Sequence, residues 1–349
     1  MAKHIREEED RREPSGQDSG KHTDKKAEEG NSEAAGKKSL PPNLVSNILI
    51  GAGVILLIVA AIIFGRNQLN YKQIDDINNS VAEYAKLTDD GEQPPKIDWA
   101  GLKAMNPDIV GWIQVPHTVI NYPVYQSGDN DYYLHHAPDG SSSIGGSVFL
   151  DYENTAPGMV DAQTIVYGHH MRNGSQFKHI ADMDKQEMFD GVNLIWYCTE
   201  NSNYDLAPLF LYYTNEGDTE VRQFTFANNK EFHDYLNMYY GKVVTKRPDA
   251  EAIIAQVDHV FTLSTCNYYD GEGRTLLVCV PRNEIPGTPQ YEAAAPARAQ
   301  KKAEEEAAAK AAAAQAAAQA QPQPAANEGA QLDENGQPVA QPEEAPAED

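Results

Sequence analysis

The chain has 349 residues, with 52 acidic and 28 basic side chains and a formal net charge of −24 at pH 7. Residues 67–283 carry thirty Asp and Glu against fourteen Lys and Arg, which argues against a nucleic-acid partner because phosphate binding needs a basic surface. Three cysteines are an odd number, so at least one is expected to be a free thiol, and the Cys and His spacing predicts neither a metal nor another cofactor.

The N-terminal part divides into a polar tail and an apolar segment. Residues 1–43 contain ten acidic and nine basic residues and too few apolar ones to form a core, so we predict a disordered tail. Residues 44–65 lack charged residues, and a helix of that length spans roughly 30 Å, the thickness of a bilayer core. A cleaved signal peptide fits poorly, because positions 64–66 read Phe-Gly-Arg rather than small-x-small. We therefore predict one transmembrane helix.

Residues 66–283 are predicted to form the folded domain. Apolar residues at helical spacing predict helices over 70–87 and 230–240, and a short helix is predicted over 98–105. Nine short strands, bounded by Gly, Asn, Asp and Pro, are predicted at 109–115, 121–124, 147–150, 164–167, 193–198, 209–214, 224–226, 259–265 and 274–280. Many short strands with few helices indicate a mainly β fold with peripheral helices, either a closed barrel or a sandwich.

Residues 284–349 form a second biased segment. Its first part is rich in Ala, Glu and Lys and its second part in Gln, Pro, Ala and Glu. Alanine favours helix, but the segment lacks an apolar stripe that could dock on the domain. We predict a low-complexity tail.

Two strand-like runs bring a thiol and a guanidinium together. Thr-Leu-Ser-Thr-Cys at 262–266 ends one run, and Arg274 opens the next after a turn-rich connection. Antiparallel pairing of these runs would place Cys266 beside Arg274. A third apolar run ends in Tyr-Gly-His at 167–169. Because a free thiol is mostly protonated at neutral pH, a nucleophilic cysteine needs such a neighbouring cation or base.

These motifs resemble those of the sortases, and of class B sortases in particular. Three further segments strengthen the resemblance: Asn-Pro-Asp-Ile-Val-Gly-Trp-Ile at 106–113, Asp-Asn-Asp-Tyr-Tyr-Leu at 129–134 and Gly-Ser-Val-Phe-Leu-Asp-Tyr at 146–152. The resemblance covers roughly residues 71–282. It implies the sortase closed β-barrel, with N-terminal helices and a helix late in the domain, and the activity of a cysteine transpeptidase.

The resemblance also assigns roles in catalysis. Cys266 would attack the Thr carbonyl of an Asn-Pro-x-Thr-like sorting signal and form a thioacyl intermediate. His169 would act as general acid and base, and Arg274 would hold the substrate backbone and stabilise the oxyanion. His170 is the alternative imidazole, but the family pattern places the catalytic histidine directly after Tyr-Gly, which selects His169.

Four positions match substrate-binding positions of the family. Leu134 and Tyr167 would lie on the walls of the sorting-signal groove, Ser264 could hydrogen-bond the substrate, and Asn130 is the fourth contact. Ordinary packing is the alternative for each. Relatives often carry Glu directly after the catalytic cysteine, whereas this chain has Asn267, which puts any role of that carboxylate in doubt.

The resemblance implies partners and a location that the charges permit. The flanking residues Lys37, Lys38, Arg66 and Lys72 give a weak orientation bias. A sortase works outside a Gram-positive cell membrane, so the N-terminus would be cytoplasmic and the domain extracellular. Its partners would be surface proteins bearing a sorting signal, a peptidoglycan-precursor amine and, through one helix, the lipid bilayer.

Three alternatives stay open from the residues alone. A pilin-polymerising class B sortase would join the substrate to a Lys of the next subunit. A non-catalytic surface anchor is the alternative of another class. A papain-like cysteine protease fits poorly, because there the cysteine precedes the histidine, and it would give only hydrolysis.

The other two cysteines lie in apolar, strand-like runs. Cys198 and Cys279 are therefore predicted to be buried and inert, behaving as small apolar side chains. A disulfide between them is the alternative that an extracellular domain permits.

Overall fold

The computed structural model describes residues 42–266, 273–319 and 334–335. Most of the predicted N-terminal tail and the later part of the predicted C-terminal tail lie outside these residues. The chain divides into two compact units, Met1–Ile62 and Ile63–Asp349.

The first unit contains the start of helix α1 (Pro42–Ala82). Among the described residues, α1 is the one helix whose length and apolar composition would allow it to cross a membrane. The helix predicted over 70–87 is the continuation of α1 rather than a separate element. In the second unit its buried residues are Ile74 and Val81, two of the positions predicted from the helical spacing.

The second unit contains all the strands of the described residues. They are β1 (Ala85–Lys86), β2 (Lys96–Ile97), β3 (Ile109–Gln114), β4 (Asn121–Tyr125), β5 (Phe149–Leu150), β6 (Gln163–Tyr167), β7 (Ile195–Cys198), β8 (Asn203–Asn215), β9 (Val243–Lys246), β10 (Val260–Cys266) and β11 (Gly273–Pro281). The helices after α1 are α2 (Trp99–Met105), α3 (Tyr132–His135), α4 (Lys178–Asp182), α5 (Gln186–Asp190), α6 (Asn229–Tyr240), α7 (Ala250–Ile254), α8 (Pro289–Ala293) and α9 (Ala295–Gln319).

Eight strands close into a barrel, as the resemblance implied. Their order is β11-β10-β6-β5-β4-β3-β7-β8, and β8 returns to pair with β11. The long strand β8 closes the barrel because its first residues pair with β7 and its later ones with β11. Strand β9 pairs with β8 outside this ring. The hairpin β1–β2 stands apart as a two-stranded sheet.

The strands nearest the proposed site bury both of their faces. On β11, Leu277 and Cys279 join the cluster shared by most barrel strands, which includes Phe261 and Leu263 of β10. Alternate residues Leu276 and Val278 join a second cluster formed with α6. This two-sided burial explains the nearly continuous apolar runs of the sequence.

Helix α6 packs as its spacing predicted. Phe232, Tyr235, Leu236 and Tyr239 are buried on one face, and the Asn228 side chain caps the helix by accepting a hydrogen bond from the Glu231 amide.

The prediction of a strand at 224–226 is wrong. This segment pairs with no strand in the described residues and leads into α6. Phe224 is buried and Phe226 packs on Phe232, with ring centroids 4.9 Å apart. Its aromatic, β-prone composition therefore serves packing against a helix rather than a strand ladder.

The start of the C-terminal segment lies on the barrel. Ile285 is buried. The Thr288 hydroxyl donates to the carbonyl of Arg282 and caps α8 by accepting from the Tyr291 amide in its first turn. In α9, the Arg298 guanidinium lies 3.4 Å from the centroid of the Tyr291 ring, and Lys301 pairs with Asp258 at 2.6 Å.

Candidate active site

Cys266 and Arg274 face each other across two paired strands. Strands β10 and β11 are antiparallel, and the Cα partners include Cys266 with Arg274, so the predicted hairpin register is confirmed. The Cys266 side chain is partly exposed at the end of β10. The connection at 267–272, including Asn267, lies outside the described residues. A thiol and a guanidinium are thus held side by side by backbone pairing alone.

The other two thiols lie in the core. Cys198 and Cys279 are free and fully buried, which excludes the alternative of a disulfide between them in this structure. Burial raises the pKa of the Cys198 thiol to about 12 and also raises that of Cys279. Cys266 is therefore the accessible thiol among the three.

The strand next to β10 brings His169 to the same end of the barrel. Strand β6 runs parallel to β10, with Tyr167 opposite Ser264, and the Gly168 amide donates to the Ser264 carbonyl at 3.1 Å. His169 follows Tyr167 by two residues, as Cys266 follows Ser264, so the two lie at the same level of adjacent strands. Glycine at 168 permits close packing, because an added Cβ would lie 2.7 Å from the Phe177 ring.

The His169 ring is oriented by a carbonyl. Its Nε2 lies 2.9 Å from the Leu134 carbonyl oxygen, which can only accept, so Nε2 carries the proton and Nδ1 is the basic atom of the neutral ring. Burial lowers the pKa of His169, the bond to Leu134 opposes that effect, and the nearby charges of His135 and Arg274 lower it further. His169 is consequently neutral around pH 7.

Gln176 holds the main chain of His169. The side-chain Oε1 of Gln176 accepts from the main-chain amide of His169 at 2.8 Å. The main-chain amide of Gln176 donates to the Tyr122 hydroxyl at 2.9 Å. Gln176 is buried and has a φ of 52°, a left-handed conformation that side chains other than glycine rarely adopt. A residue keeps such a strained main-chain conformation only where the surrounding structure holds it in place.

His170 contacts a different part of the same site. Its Nδ1 lies 3.0 Å from the Cys266 carbonyl oxygen, so the imidazole donates to the main chain of the predicted nucleophile. The two adjacent histidines therefore have separate partners. His169 contacts helix α3 through the Leu134 carbonyl, whereas His170 anchors the end of β10.

Arg274 is accompanied by a carboxylate that the sequence reasoning missed. Its Nη2 lies 2.9 Å from Glu216 Oε1, and its Nη1 donates to the Gly273 carbonyl. Glu216 directly follows β8, whose last residue, Asn215, pairs with Gly273. Only the pairing of β8 with β11, which is distant in sequence, brings this glutamate to Arg274.

The predicted substrate contacts divide into two groups. Ser264 and Tyr167 are opposite each other on β10 and β6, beside Cys266 and His169, and Leu134 is partly buried with its carbonyl on the His169 ring. Asn130 is held instead by Asp151, whose Oδ2 accepts from Asn130 Nδ2 at 2.9 Å and from the Tyr167 hydroxyl at 2.8 Å.

Asp151 and its partner Arg222 are further residues that the sequence reasoning passed over. Asp151 stood inside a motif used for the resemblance, and Arg222 is the single Lys or Arg between Lys185 and Lys230. A single cation within a long acidic stretch is the sequence feature that could have indicated an ion pair. Within the described part of the chain, no group of three His, Cys, Asp or Glu side chains could hold a metal ion.

Comparisons with known proteins give a consistent result. No family model matches the chain. It is 31% identical to Sortase B of Listeria monocytogenes over 202 residues, which cover 58% of this chain and 79% of the relative. It is 27% identical to Sortase B of Staphylococcus aureus over 239 residues, 65% of this chain and 93% of the relative. A crystal structure of sortase B from Bacillus anthracis in complex with AAEK1 superposes with a TM-score of 0.51 at 29% identity, covering 61% of this chain and 99% of that one.

Proposed function

The chain belongs to the class B sortases and is a cysteine transpeptidase, and from that premise we propose its substrate, mechanism and location. Its substrate is a surface protein with an Asn-Pro-x-Thr-like C-terminal sorting signal, which it joins to an amine of a cell-wall precursor. The observation that carries this proposal is the register that sets Cys266 against Arg274, with His169 level with Cys266 on the adjoining strand.

The first half of the proposed reaction forms a thioester. The Cys266 sulfur bonds to the Thr carbonyl carbon, and the thiol proton passes to His169, which is neutral beforehand because burial lowers its pKa. The tetrahedral intermediate then expels the amine of the following residue, which takes the proton from the imidazolium. Arg274 offers N–H donors to the oxyanion that forms on the carbonyl oxygen.

The second half transfers the acyl group. The acceptor amine attacks the thioester carbonyl, His169 removes its proton, and Cys266 leaves as a thiolate that regains a proton. The products are a new amide bond and free enzyme. Water in place of the amine would give hydrolysis.

The location and domain limits belong to the same proposal. Residues 44–65 anchor the chain in a membrane, residues 1–43 are cytoplasmic, and residues 66–283 are the catalytic domain outside the cell, followed by the tail at 284–349. The apolar part of α1 supports this layout. Because residues 67–283 carry an excess of acidic side chains, the domain surface also suits solubility beside an anionic membrane.

The test uses the purified full chain in detergent with a pool of Asn-Pro-x-Thr peptides in which x varies. We expect a peptide-sized adduct on Cys266 by mass spectrometry, and a ligated product when triglycine is offered. Cys266→Ala should form neither and keep its melting temperature. Cys198→Ala, which changes a buried thiol, is the matched control and should retain the adduct at Cys266.

Each alternative predicts a different result. Hydrolysis with every amine indicates a protease, and ligation to Nα-acetyl-lysine but not to triglycine indicates pilin assembly. A complete absence of adduct indicates a non-catalytic anchor. His169→Ala and His170→Ala, compared under the same conditions, identify the imidazole that the adduct requires, and we expect it to be His169.

A further inference from the structure

A fully buried carboxylate lies behind the proposed substrate groove. Asp151 directly follows β5, and its side chain has no exposed surface. It accepts five hydrogen bonds, from Arg222 Nε (2.7 Å), Arg222 Nη2 (2.9 Å), the Tyr167 hydroxyl (2.8 Å), Asn130 Nδ2 (2.9 Å) and the Glu153 amide (3.0 Å). Burial would raise the pKa of Asp151, but the bonds from Arg222 and the other donors outweigh it and lower the pKa.

Arg222 approaches this carboxylate from a separate part of the chain. It follows a short 3₁₀ turn (Thr219–Val221) and places two parallel N–H groups on the two carboxylate oxygens, the strongest geometry for such a pair. Its Nη2 also contacts Glu153 at 2.7 Å, and its guanidinium lies 5.2 Å from the centroid of the Tyr152 ring.

The segment around Arg222 is held independently of Asp151. The buried Gln163 side chain donates to the carbonyls of Val221 and Gln223, on either side of Arg222, at 2.9 Å each. Removing the guanidinium would therefore leave the main chain in place, so substitutions of Arg222 test the ion pair itself.

Two of the other donors to Asp151, Tyr167 and Asn130, are residues of the proposed groove. Tyr167 ends β6, two residues before His169. Asn130 lies just before helix α3, whose Leu134 carbonyl contacts the His169 ring. One carboxylate thus fixes the Tyr167 phenol and the Asn130 amide. A buried carboxylate holds its hydrogen-bond donors in fixed positions only while all of them remain. Losing one donor leaves part of the buried charge without a partner.

We propose that Asp151 and Arg222 are positioning residues that hold Tyr167 and Asn130 in the orientation needed to bind the sorting-signal peptide. This inference rests on the proposed function, since it assigns the pair to peptide binding rather than to the chemistry at Cys266. Neither residue touches the reacting atoms. Their loss should therefore raise KM for the peptide and leave the reactivity of the thiol unchanged.

The test compares variants of the full chain in detergent. We measure kcat and KM with the Asn-Pro-x-Thr peptide that the parent chain uses best, and separately the rate of Cys266 alkylation by iodoacetamide, a reagent too small to need the groove. Arg222→Gln should raise KM about tenfold or more, as for a misplaced binding group, with alkylation within about twofold of the parent. Arg222→Lys keeps the charge but loses the parallel N–H pair, so its KM should lie between those of the parent and Arg222→Gln.

Glu284→Gln is the matched control. Glu284 is also a largely buried carboxylate, with 16% of its side chain exposed, and it accepts from His259 Nδ1 at 2.9 Å and from the Asp258 amide at 2.7 Å. None of these partners contributes to the groove. We expect Glu284→Gln to lower the melting temperature and leave KM unchanged.

Asp151→Asn removes the charge that Arg222 pairs with and is expected to destabilise the fold, so Tyr167→Phe serves as the second variant. It keeps the ring and removes only the hydroxyl bonded to Asp151, and it should also raise KM. The inference is overturned if Arg222→Gln and Tyr167→Phe keep the parent KM, or if Glu284→Gln raises KM as much. A parent chain that forms no adduct on Cys266 overturns the proposed function, and this inference with it.

Discussion

At the scale of single residues, the arrangement of charge around Arg274 sets what the site can do. The guanidinium pairs with the Glu216 carboxylate, and its charge helps to lower the pKa of the His169 imidazole. Its side chain is 26% exposed, so the ion pair with Glu216 is worth little stability and acts mainly on orientation. The exposed ion pair therefore orients the planar guanidinium of Arg274, and its N–H donors can still bind a substrate oxyanion.

Substitution of Arg274 separates charge from geometry. Lysine keeps the positive charge but loses the planar, multi-donor fork. Removing one oxyanion donor typically lowers turnover by a factor of roughly 10²–10³. We expect Arg274→Lys to lose at least about that much in kcat, and Arg274→Ala more, with a smaller change in the pH dependence of Cys266 alkylation. Steady-state kinetics with the sorting-signal peptide measure the first quantity.

Glu216→Gln is the control for this prediction. It keeps the size of the side chain and removes the charge beside Arg274, so kcat should fall by less than tenfold if Glu216 only orients the fork. Near-parent turnover in Arg274→Lys would contradict an oxyanion role. Arg282 cannot replace it in that role, because Arg282 follows β11 at the end opposite to Arg274 and Cys266.

His169 makes stability depend on pH. Its folded-state pKa lies below the ordinary 6.5 because burial disfavours the charged ring. The unfolded chain therefore binds the extra proton first as pH falls. Stability is fully present above about pH 6.5 and is lost as pH falls toward the folded pKa, with a slope of at most about 1.4 kcal/mol per pH unit for one proton.

Urea unfolding between pH 5 and 8, on a chain beginning at residue 66, measures this slope. We expect His169→Gln to flatten it, and NMR titration of the parent to give a His169 pKa below 6.5. Burial also lowers the pKa of His179, so adding His179→Gln should reduce the slope further. An unchanged slope in both variants would show that neither imidazole is held neutral by the fold.

At the scale of elements, the sequence was most informative where neighbours along the chain are also neighbours in space. The β10–β11 register could be predicted because one short connection joins the two strands, so Cys266 had to oppose Arg274. The spacing of α6 was sufficient for the same reason. These predictions needed only local periodicity and one turn.

The missed features depend on contacts between distant segments. The bond between His170 and the Cys266 carbonyl joins residues 96 positions apart, and the Arg222–Asp151 pair joins residues 71 apart. Strand β9 and the short helices α3, α4, α5 and α7 are held by packing rather than by strong local patterns. No periodicity reports such contacts, so this part of the site required the structure.

The C-terminal elements give a prediction of their own. Cutting the chain after Gly287 removes α8 and α9, with the Arg298–Tyr291 stacking and the Lys301–Asp258 pair. Exposed contacts of these kinds contribute about 1–2 kcal/mol together. We therefore expect the melting temperature to fall by about 2–8 °C and turnover to stay unchanged, since none of these residues contacts Cys266, His169 or Arg274 within the described residues.

A second truncation, after Lys302, serves as the control. It keeps both contacts and removes only later residues, so it should match the full chain in melting temperature and in turnover. Differential scanning calorimetry and the ligation assay measure the two properties. Loss of turnover after the Gly287 cut would instead mean that the C-terminal segment supports the groove.

At the scale of the whole molecule, the different exposure of the three thiols allows the proposed membrane topology to be tested by labelling. Cys266 is partly exposed, whereas Cys198 and Cys279 are fully buried, and burial raises the pKa of both. A thiol-specific reagent should therefore label the folded chain at one position only. Because this position lies in the proposed catalytic domain, labelling with a membrane-impermeant reagent shows on which side of the membrane that domain lies.

The last prediction uses intact cells that express the full chain. An impermeant maleimide should label Cys266 without lysis, and the labelled protein should stay with the membrane fraction after an alkaline wash, as expected for one spanning helix. Ser19→Cys, made in a Cys266→Ala background, places a thiol in the predicted cytoplasmic tail and should react only after lysis. Labelling of Ser19→Cys in intact cells, together with no labelling of Cys266 in intact cells that express the parent chain, would invert the orientation. Release of the chain by the alkaline wash would instead contradict the anchor, because a helix that spans the bilayer keeps its apolar surface out of water whatever the pH.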